Sequence, residues 1–122
     1  MSLVNSTPSP SHRLAQLASL IQHELGAIMA RDFEPPLGVL VTLTSVRVLP
    51  DLSSAQVGVS ILPFDTSETV FKILQKKVPH WQRLINAKLH LYRVPKIDLR
   101  VDTTAEKVAK IDRLLDEIKV AE

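Results

Sequence analysis

Ala55, Val57, Val59 and Ile61 place an apolar side chain at every second position, with Gln56, Gly58 and Ser60 between them. Only an extended chain puts residues i, i+2 and i+4 on one side, so the segment is a strand with one apolar and one polar face. Such a strand needs neighbours to pair with and a layer to cover its apolar face. Upstream, Val39, Val41 and Leu43 share one parity and Val46 and Val48 the other, which predicts a strand over Gly38–Leu49 with a bulge or sharp twist near Thr44 and Ser45. Pro50, Asp51 and Ser53 supply turn chemistry, so the two strands form an antiparallel hairpin.

The covering layer comes from segments of helical period. Leu14, Leu17, Ala18, Ile21, Leu25, Ile28 and Met29 recur at three- and four-residue steps, and Pro35 and Pro36 end that helix near Arg31–Phe33. Ser9 with Pro10, or Ser11, starts it. Val70, Ile73, Leu74, Val78, Trp81, Leu84 and Ile85 mark a second helical segment, capped by Asp65 or Thr66. Pro79 interrupts it; an interior proline removes a hydrogen bond and clashes with the carbonyl four residues back, so a kink or break is expected there. Ile97, Leu99 and Val101 alternate with Lys96, Asp98 and Arg100 in a third strand. Thr103 and Glu106 then have the spacing of a capping box before a last helix carrying Val108, Ile111, Leu114, Leu115 and Ile118. The order gives an α+β fold with a small three-stranded sheet and its helices on one face. The 122 residues suit one domain. Met1–Ser11, rich in Ser, Thr and Pro, reads as a disordered lead-in, and residues 12–120 as the folded domain.

Several chemistries are disfavoured. With no cysteine, there are no disulfides, thiolate nucleophiles or Cys-ligated metals. Gly26, Gly38 and Gly58 are too dispersed to cradle a phosphate, and no nucleophile elbow or His-Glu-x-x-His pattern occurs. His12 and His23 read as solvated helix residues rather than metal ligands, Asp51 as a turn residue rather than a catalytic acid, and Trp81 as core rather than a stacking platform. Tyr92, in a basic and less regular stretch, is the better candidate to stack on a base. The expectation is therefore no enzyme, no cofactor, no metal and no small-molecule substrate. No apolar run is long enough to cross a bilayer and no secretory leader is visible, so a cytoplasmic protein is expected and the Asn5-Ser6-Thr7 triplet is not a glycosylation site.

Charge is the feature with a mechanism. Between Lys72 and Arg100 there are eight basic residues and one acid, Asp98, a local charge of +7; the other seven basic and twelve acidic residues give −5. Lys72, Lys76, His80 and Arg83 follow one another at four, four and three residues, which sets them on one side of a helix. A basic stripe of this kind neutralises phosphates and binds with strong salt dependence. At 4% aromatic residues the chain is poor in stacking groups, so structured RNA read by shape and backbone fits better than bare single strands. The bland reading of the stripe is a solvated helix face, and its rival use is membrane binding, which the need to bury the apolar face disfavours.

The run Val46-Arg47-Val48-Leu49-Pro50-Asp51-Leu52-Ser53-Ser54-Ala55-Gln56-Val57 resembles the Val-x-Val-Ser-x-Asp-Leu-x-x-Ala-x-Val signature of the bacterial ribosome-binding factor A family, with Leu49 where the family usually has Ser. Arg13, a Pro-x-x-Gly turn at Pro35 and Gly38, Arg93-Val94-Pro95 and a closing helix near Asp116-Glu117-Ile118 extend the resemblance along nearly the whole chain.

The resemblance implies a single-domain type II KH-like fold and a monomer when free. It also implies a non-enzymatic role in late maturation of the small ribosomal subunit and 5′-end processing of its RNA, with that subunit and 16S-type rRNA as partners. An interhelical kink, usually Ala-x-Gly in the family, falls at Lys77-Val78-Pro79, where proline replaces the glycine. Charge and resemblance together nominate Lys72, Lys76, Lys77, His80, Arg83, Lys88 and Arg93 for RNA contact. The competing expectation is a protein-interaction adaptor whose basic surface is incidental.

Overall fold

A computed structural model describes residues 10–91 and 93–121, and Met1 to Ser9 of the expected lead-in and the stacking candidate Tyr92 lie outside the described residues. The elements are α1 (Pro10–Asp32), β1 (Leu40–Val48), β2 (Ser54–Leu62), a 3-10 turn (Phe64–Thr66), α2 (Ser67–Lys88), β3 (Lys96–Val101) and α3 (Thr104–Ala121). The sheet order is β1-β2-β3, antiparallel between β1 and β2 and parallel between β2 and β3. This is the α+β plan read from the pattern. The first helix begins at Pro10, one of the two starts expected of it, and so takes in the last two residues of the segment read as a lead-in.

The alternation in β2 is realised in full: Ala55, Val57, Val59 and Ile61 are all buried, and Ile97 and Leu99 beside them complete the apolar face. Ile21, Leu25, Ile28 and Met29 of α1 and Val70, Leu74, Trp81 and Ile85 of α2 cover it. Each fully buried Val, Leu or Ile contributes roughly 1.5–3 kcal/mol relative to exposure. The other sheet face carries Arg47, Gln56, Lys96, Asp98 and Arg100.

The parity switch in β1 is a bulge, with the register shifting between Leu43 and Ser45. Gly58 lies opposite it. A β-carbon there would sit 2.8 Å from Ser45 Oγ and 3.0 Å from Thr44 Oγ1. The missing side chain lets Asp102, at the end of β3, reach across the central strand and accept a 2.8 Å hydrogen bond from the Thr44 hydroxyl.

At the hairpin turn, Asp51 Oδ1 accepts from the Ser53 backbone N–H at 3.0 Å and the Ser53 hydroxyl at 2.7 Å, the turn role expected of it. Leu52 adopts φ 62, in the left-handed region that costs a non-glycine residue roughly 1–2 kcal/mol. The side chain that incurs this cost packs against the core. Gly38, with φ 82, closes the turn before β1, where the Val39 N–H donates to the Pro36 carbonyl at 3.0 Å.

Three expectations are corrected. The segments on either side of Lys77-Val78-Pro79 form one continuous helix rather than two. Pro79 and Gln75, whose carbonyl loses its usual donor, both lie on the exposed side, where solvent meets the unpaired group, while Val70 and Leu74 before the proline and Trp81 and Ile85 after it are buried. The helix caps also differ. Thr66 precedes α2 but its hydroxyl turns back to the Pro63 carbonyl at 2.6 Å, and neither it nor Asp65 caps α2. At α3 the acceptor is Asp102 Oδ1, 2.9 Å from the Thr104 N–H, in place of a Thr103–Glu106 box. Finally, α3 does not join α1 and α2 on the sheet: Val108, Ile111, Leu114, Leu115 and Ile118 are all about half exposed. Among the described residues no other element packs along this face.

Candidate nucleic-acid interface

The buried residues of α2 fix where its cations point. Val70, Leu74 and Trp81 face the core, and Lys72, Lys76 and Arg83 each follow one of them by two positions, roughly 200° around the helix. They therefore form a row along the outermost side, all three exposed. Lys72 lies 3.6 Å from Glu68, one turn earlier, with both side chains largely in solvent. A pair this exposed is worth a fraction of a kcal/mol and leaves the lysine available to another anion.

The remaining nominated residues are distributed differently. His80, Leu84 and Lys88 run along the flank of α2 that meets α1, and Lys77 shares that flank by helical period. His80 Nε2 lies 3.9 Å from Asp32 Oδ1, while Asp32 Oδ2 accepts a 2.7 Å hydrogen bond from the Trp81 indole N–H. Trp81 is fully buried, so this bond satisfies its one polar atom and assigns it to the core. Lys77 is half-buried, and Lys88 lies 3.9 Å from Glu24 of α1. The pairs Glu24–Lys88 and Asp32–His80 show that the two helices run antiparallel. Arg93 sits elsewhere, exposed in the loop between α2 and β3 and close enough to the hairpin turn for its charge to act on Asp51. The structure thus gathers Lys72, Lys76 and Arg83, sets His80 at their margin, turns Lys77 and Lys88 towards α1, and leaves Arg93 apart.

Two residues at this edge escaped the sequence reading. Arg31, exposed in the last turn of α1, lines a shallow groove with Ile28, Asp32 and Leu84 and adds a cation beside the row. Asp32 braces α2 through Trp81. Their separation of 49 residues left no local signal.

Behind the row, Gln82 holds α2 to the sheet. Its amide accepts from the Ile97 N–H at 2.8 Å and donates to the Pro95 carbonyl at 3.2 Å. The side chain thereby occupies part of the free edge of β3 as another strand would. Two carboxyls on the domain are held below their ordinary range, Asp51 by the hydroxyl and backbone N–H of Ser53 and Asp102 by those of Thr104 together with the Thr44 hydroxyl. Both are turn and cap groups rather than parts of a reactive centre. Among the described residues no three His, Asp or Glu side chains are grouped to hold a metal, and no helix is long and apolar enough to cross a membrane.

The geometry is accompanied by family relationships. The Ribosome-binding factor A family model matches residues 13–115. A ribosome-binding factor A from Thermomicrobium roseum is 33% identical over 111 residues, covering 90% of this chain and 86% of its own. One from Chlorobium limicola is 32% identical over 114 residues, covering 91% and 95%. The crystal structure of ribosome-binding factor A from Thermus thermophilus superposes with a TM-score of 0.63 at 19% identity, covering 72% of this chain and 94% of that one, a likeness of fold.

Proposed function

The chain belongs to the ribosome-binding factor A family, and from that premise we propose that it is a non-enzymatic assembly factor that binds the small ribosomal subunit through its 16S-type rRNA. In this role it assists late maturation and 5′-end processing of that RNA in the cytoplasm. The observation that carries the reading is the row Lys72, Lys76 and Arg83 on the outer side of α2, with Arg31 and His80 beside it. Lys72 and Lys76 on adjacent turns, with Arg83 two turns further along the same side, match a phosphate backbone, which they neutralise with release of condensed counterions. Their helix is held against the sheet by Trp81 and Gln82, so the row is presented on a rigid support.

Pro79 stands where the family's glycine would let backbone approach RNA closely. In this chain Lys77-Val78-Pro79 lies within one continuous helix, and side-chain charge carries the affinity. Arg93 and Lys96, near the start of β3, offer a second and smaller contact. The −5 charge of the rest of the chain repels RNA and so orients the domain on it.

The test is cosedimentation of the purified chain with isolated small subunits, large subunits and assembled ribosomes at two salt concentrations. Association confined to the small subunit and weakened by salt is the expected result. Equal association with every particle at low salt only, or none at all, would overturn the reading.

A further inference from the structure

β1 is an outer strand of the sheet, and its second side is unpaired among the described residues. The Val59 carbonyl accepts from the Asp102 N–H at 2.7 Å, towards β3. Val59 and its β1 partner Leu43 therefore turn their main-chain groups away from each other, and Leu43, with Val41 two residues earlier, leaves N–H and C=O on the free edge. Sheet edges are ordinarily protected by charges, prolines, bulges or a covering element. The bulge after Leu43 serves one half of β1. The other half, Leu40–Leu43, contains neither charge nor proline, and exposed Leu37 and Leu40 extend its apolar surface.

Beside this half, Gly26, Met29 and Ala30 of α1 and Phe33 beyond it face Val41 and Leu43 across an open, mainly apolar groove of about 380 Å³. Gly26 is the informative member. A glycine inside a helix weakens it, yet outside its own helix no atom lies within 4 Å of where its β-carbon would stand, so no packing in the described domain requires it. With Ala30 one turn later, it leaves the groove clear.

From the edge and the groove together we propose that β1 accepts an extended segment of a basic protein as a fourth strand. Main-chain bonds to Val41 and Leu43 hold the segment, and its alternate side chains on the α1 side are apolar and fill the groove. The basic character follows from the rim. Exposed Glu34 stands there between Phe33 and Pro35, where α1 ends with unpaired carbonyls and partial negative charge. Arg31, the cation of that last turn, lines the groove with Leu84 on the α2 side instead. Lys or Arg beside the apolar residues of the segment complements this rim, whereas a phosphate chain meets no cation between Pro35 and Val46. Because α1 packs over β1 and α2 over β2 and β3, the proposed edge is separate from the row on α2, and the domain holds RNA on one side and protein on the other.

Amide NMR of the full chain, titrated with seven-residue peptides, tests the proposal. The probes have Lys at both ends, Thr at alternate inner positions, and Val, Leu or Phe at the others. The expected result is shifts centred on Val41 and Leu43, with slower exchange of these two amides. Methylating one alternate set of peptide amides should abolish binding and methylating the other should leave it, because only one set faces the edge. Gly26→Leu should occupy the groove and weaken binding about tenfold, with a urea midpoint at or above that of wild type and unchanged RNA binding, since α2 is untouched. Glu34→Lys should weaken binding roughly threefold, and exchanging the peptide lysines for glutamates should restore it in that variant.

No shift at Val41 and Leu43 with any of the peptides, equal effects of the two methylation sets, or undiminished binding by Gly26→Leu would each overturn the proposal. So would slow exchange of both amides before peptide is added, which would mean that the chain itself or a second copy already covers the edge. Shifts at these amides with an oligonucleotide in place of the peptides would assign the edge to RNA and overturn it as well.

Discussion

Replacing Gly58 with alanine sets two effects of opposite sign against each other. On conformational grounds alone, Gly→Ala in a strand interior stabilises by roughly 0.5–1 kcal/mol. At this position the new β-carbon meets Ser45 Oγ at 2.8 Å and Thr44 Oγ1 at 3.0 Å, both well inside normal contact. Ser45 has room to rotate. Thr44 is committed, because its hydroxyl is bonded to Asp102 Oδ2 and lies 3.1 Å from the Gly58 carbonyl oxygen.

Relief of the clash therefore moves Thr44 off Asp102. The bond to Asp102 is exposed and contributes little, so the main cost is overpacking, about 1–3 kcal/mol. After subtracting the propensity gain, Gly58→Ala should destabilise the domain by about 1–2 kcal/mol. Urea unfolding followed through Trp81, the sole tryptophan, should show the midpoint fall by roughly 0.5–2 M at a slope of about 1–2 kcal/mol/M. In a Thr44→Ala background the same substitution should cost about 1 kcal/mol less, since the obstructing oxygen is gone. An unchanged or raised midpoint in the single variant would refute the reasoning.

Other outcomes follow from the same contacts. Gln82→Ala leaves the Ile97 N–H and Pro95 carbonyl without their partner and should cost about 1–3 kcal/mol, with faster amide exchange at Ile97 than elsewhere in β3; protection equal to wild type would argue against the clamp. Trp81→Phe removes the bond to Asp32 and should cost about 1 kcal/mol or more, read by calorimetry because the fluorophore is lost. Asp51 and Asp102 have folded pKa values below their unfolded ones, so the stability they contribute is present above about pH 4 and disappears as pH falls through the folded values. Asp102→Asn should flatten the acid limb of a urea-midpoint profile between about pH 6 and 2, and an identical limb in the variant would remove Asp102 from that account.

The parts of this molecule legible in its sequence are those whose cause is local. The period of two at Ala55–Ile61 defined β2, the parity change at Thr44 and Ser45 located the bulge, and Asp51 behaved as turn chemistry requires. Trp81 fell in the core because it shares a helical face with Leu74 and Ile85. What escaped depends on contacts between distant residues or on the absence of one. Asp102 meets Thr44 across 58 positions and displaces the capping box that spacing alone suggested. The basic stretch is continuous along the chain, but winding it at 3.6 residues per turn sends Lys77 and Lys88 to the α1 flank and leaves Lys72, Lys76 and Arg83 outermost. Pro79 forbids one hydrogen bond without breaking the helix, because the unpaired carbonyl lies on the exposed side. The pattern in α3 specifies an apolar face, and spacing cannot say that no other described element packs along it.

The central claim is that Lys72, Lys76 and Arg83 act together on phosphate. It is tested most directly by the salt dependence of binding to small-subunit RNA, compared between the wild-type chain and the triple variant Lys72→Glu, Lys76→Glu, Arg83→Glu. Each phosphate contact contributes roughly 0.7–0.9 to the slope of log affinity against log salt. The variant should therefore lose about 2–3 of that slope along with most of its affinity at low salt, while its urea midpoint stays near wild type because all three side chains are exposed. A triple variant that keeps both the affinity and the slope of the wild type would contradict the account.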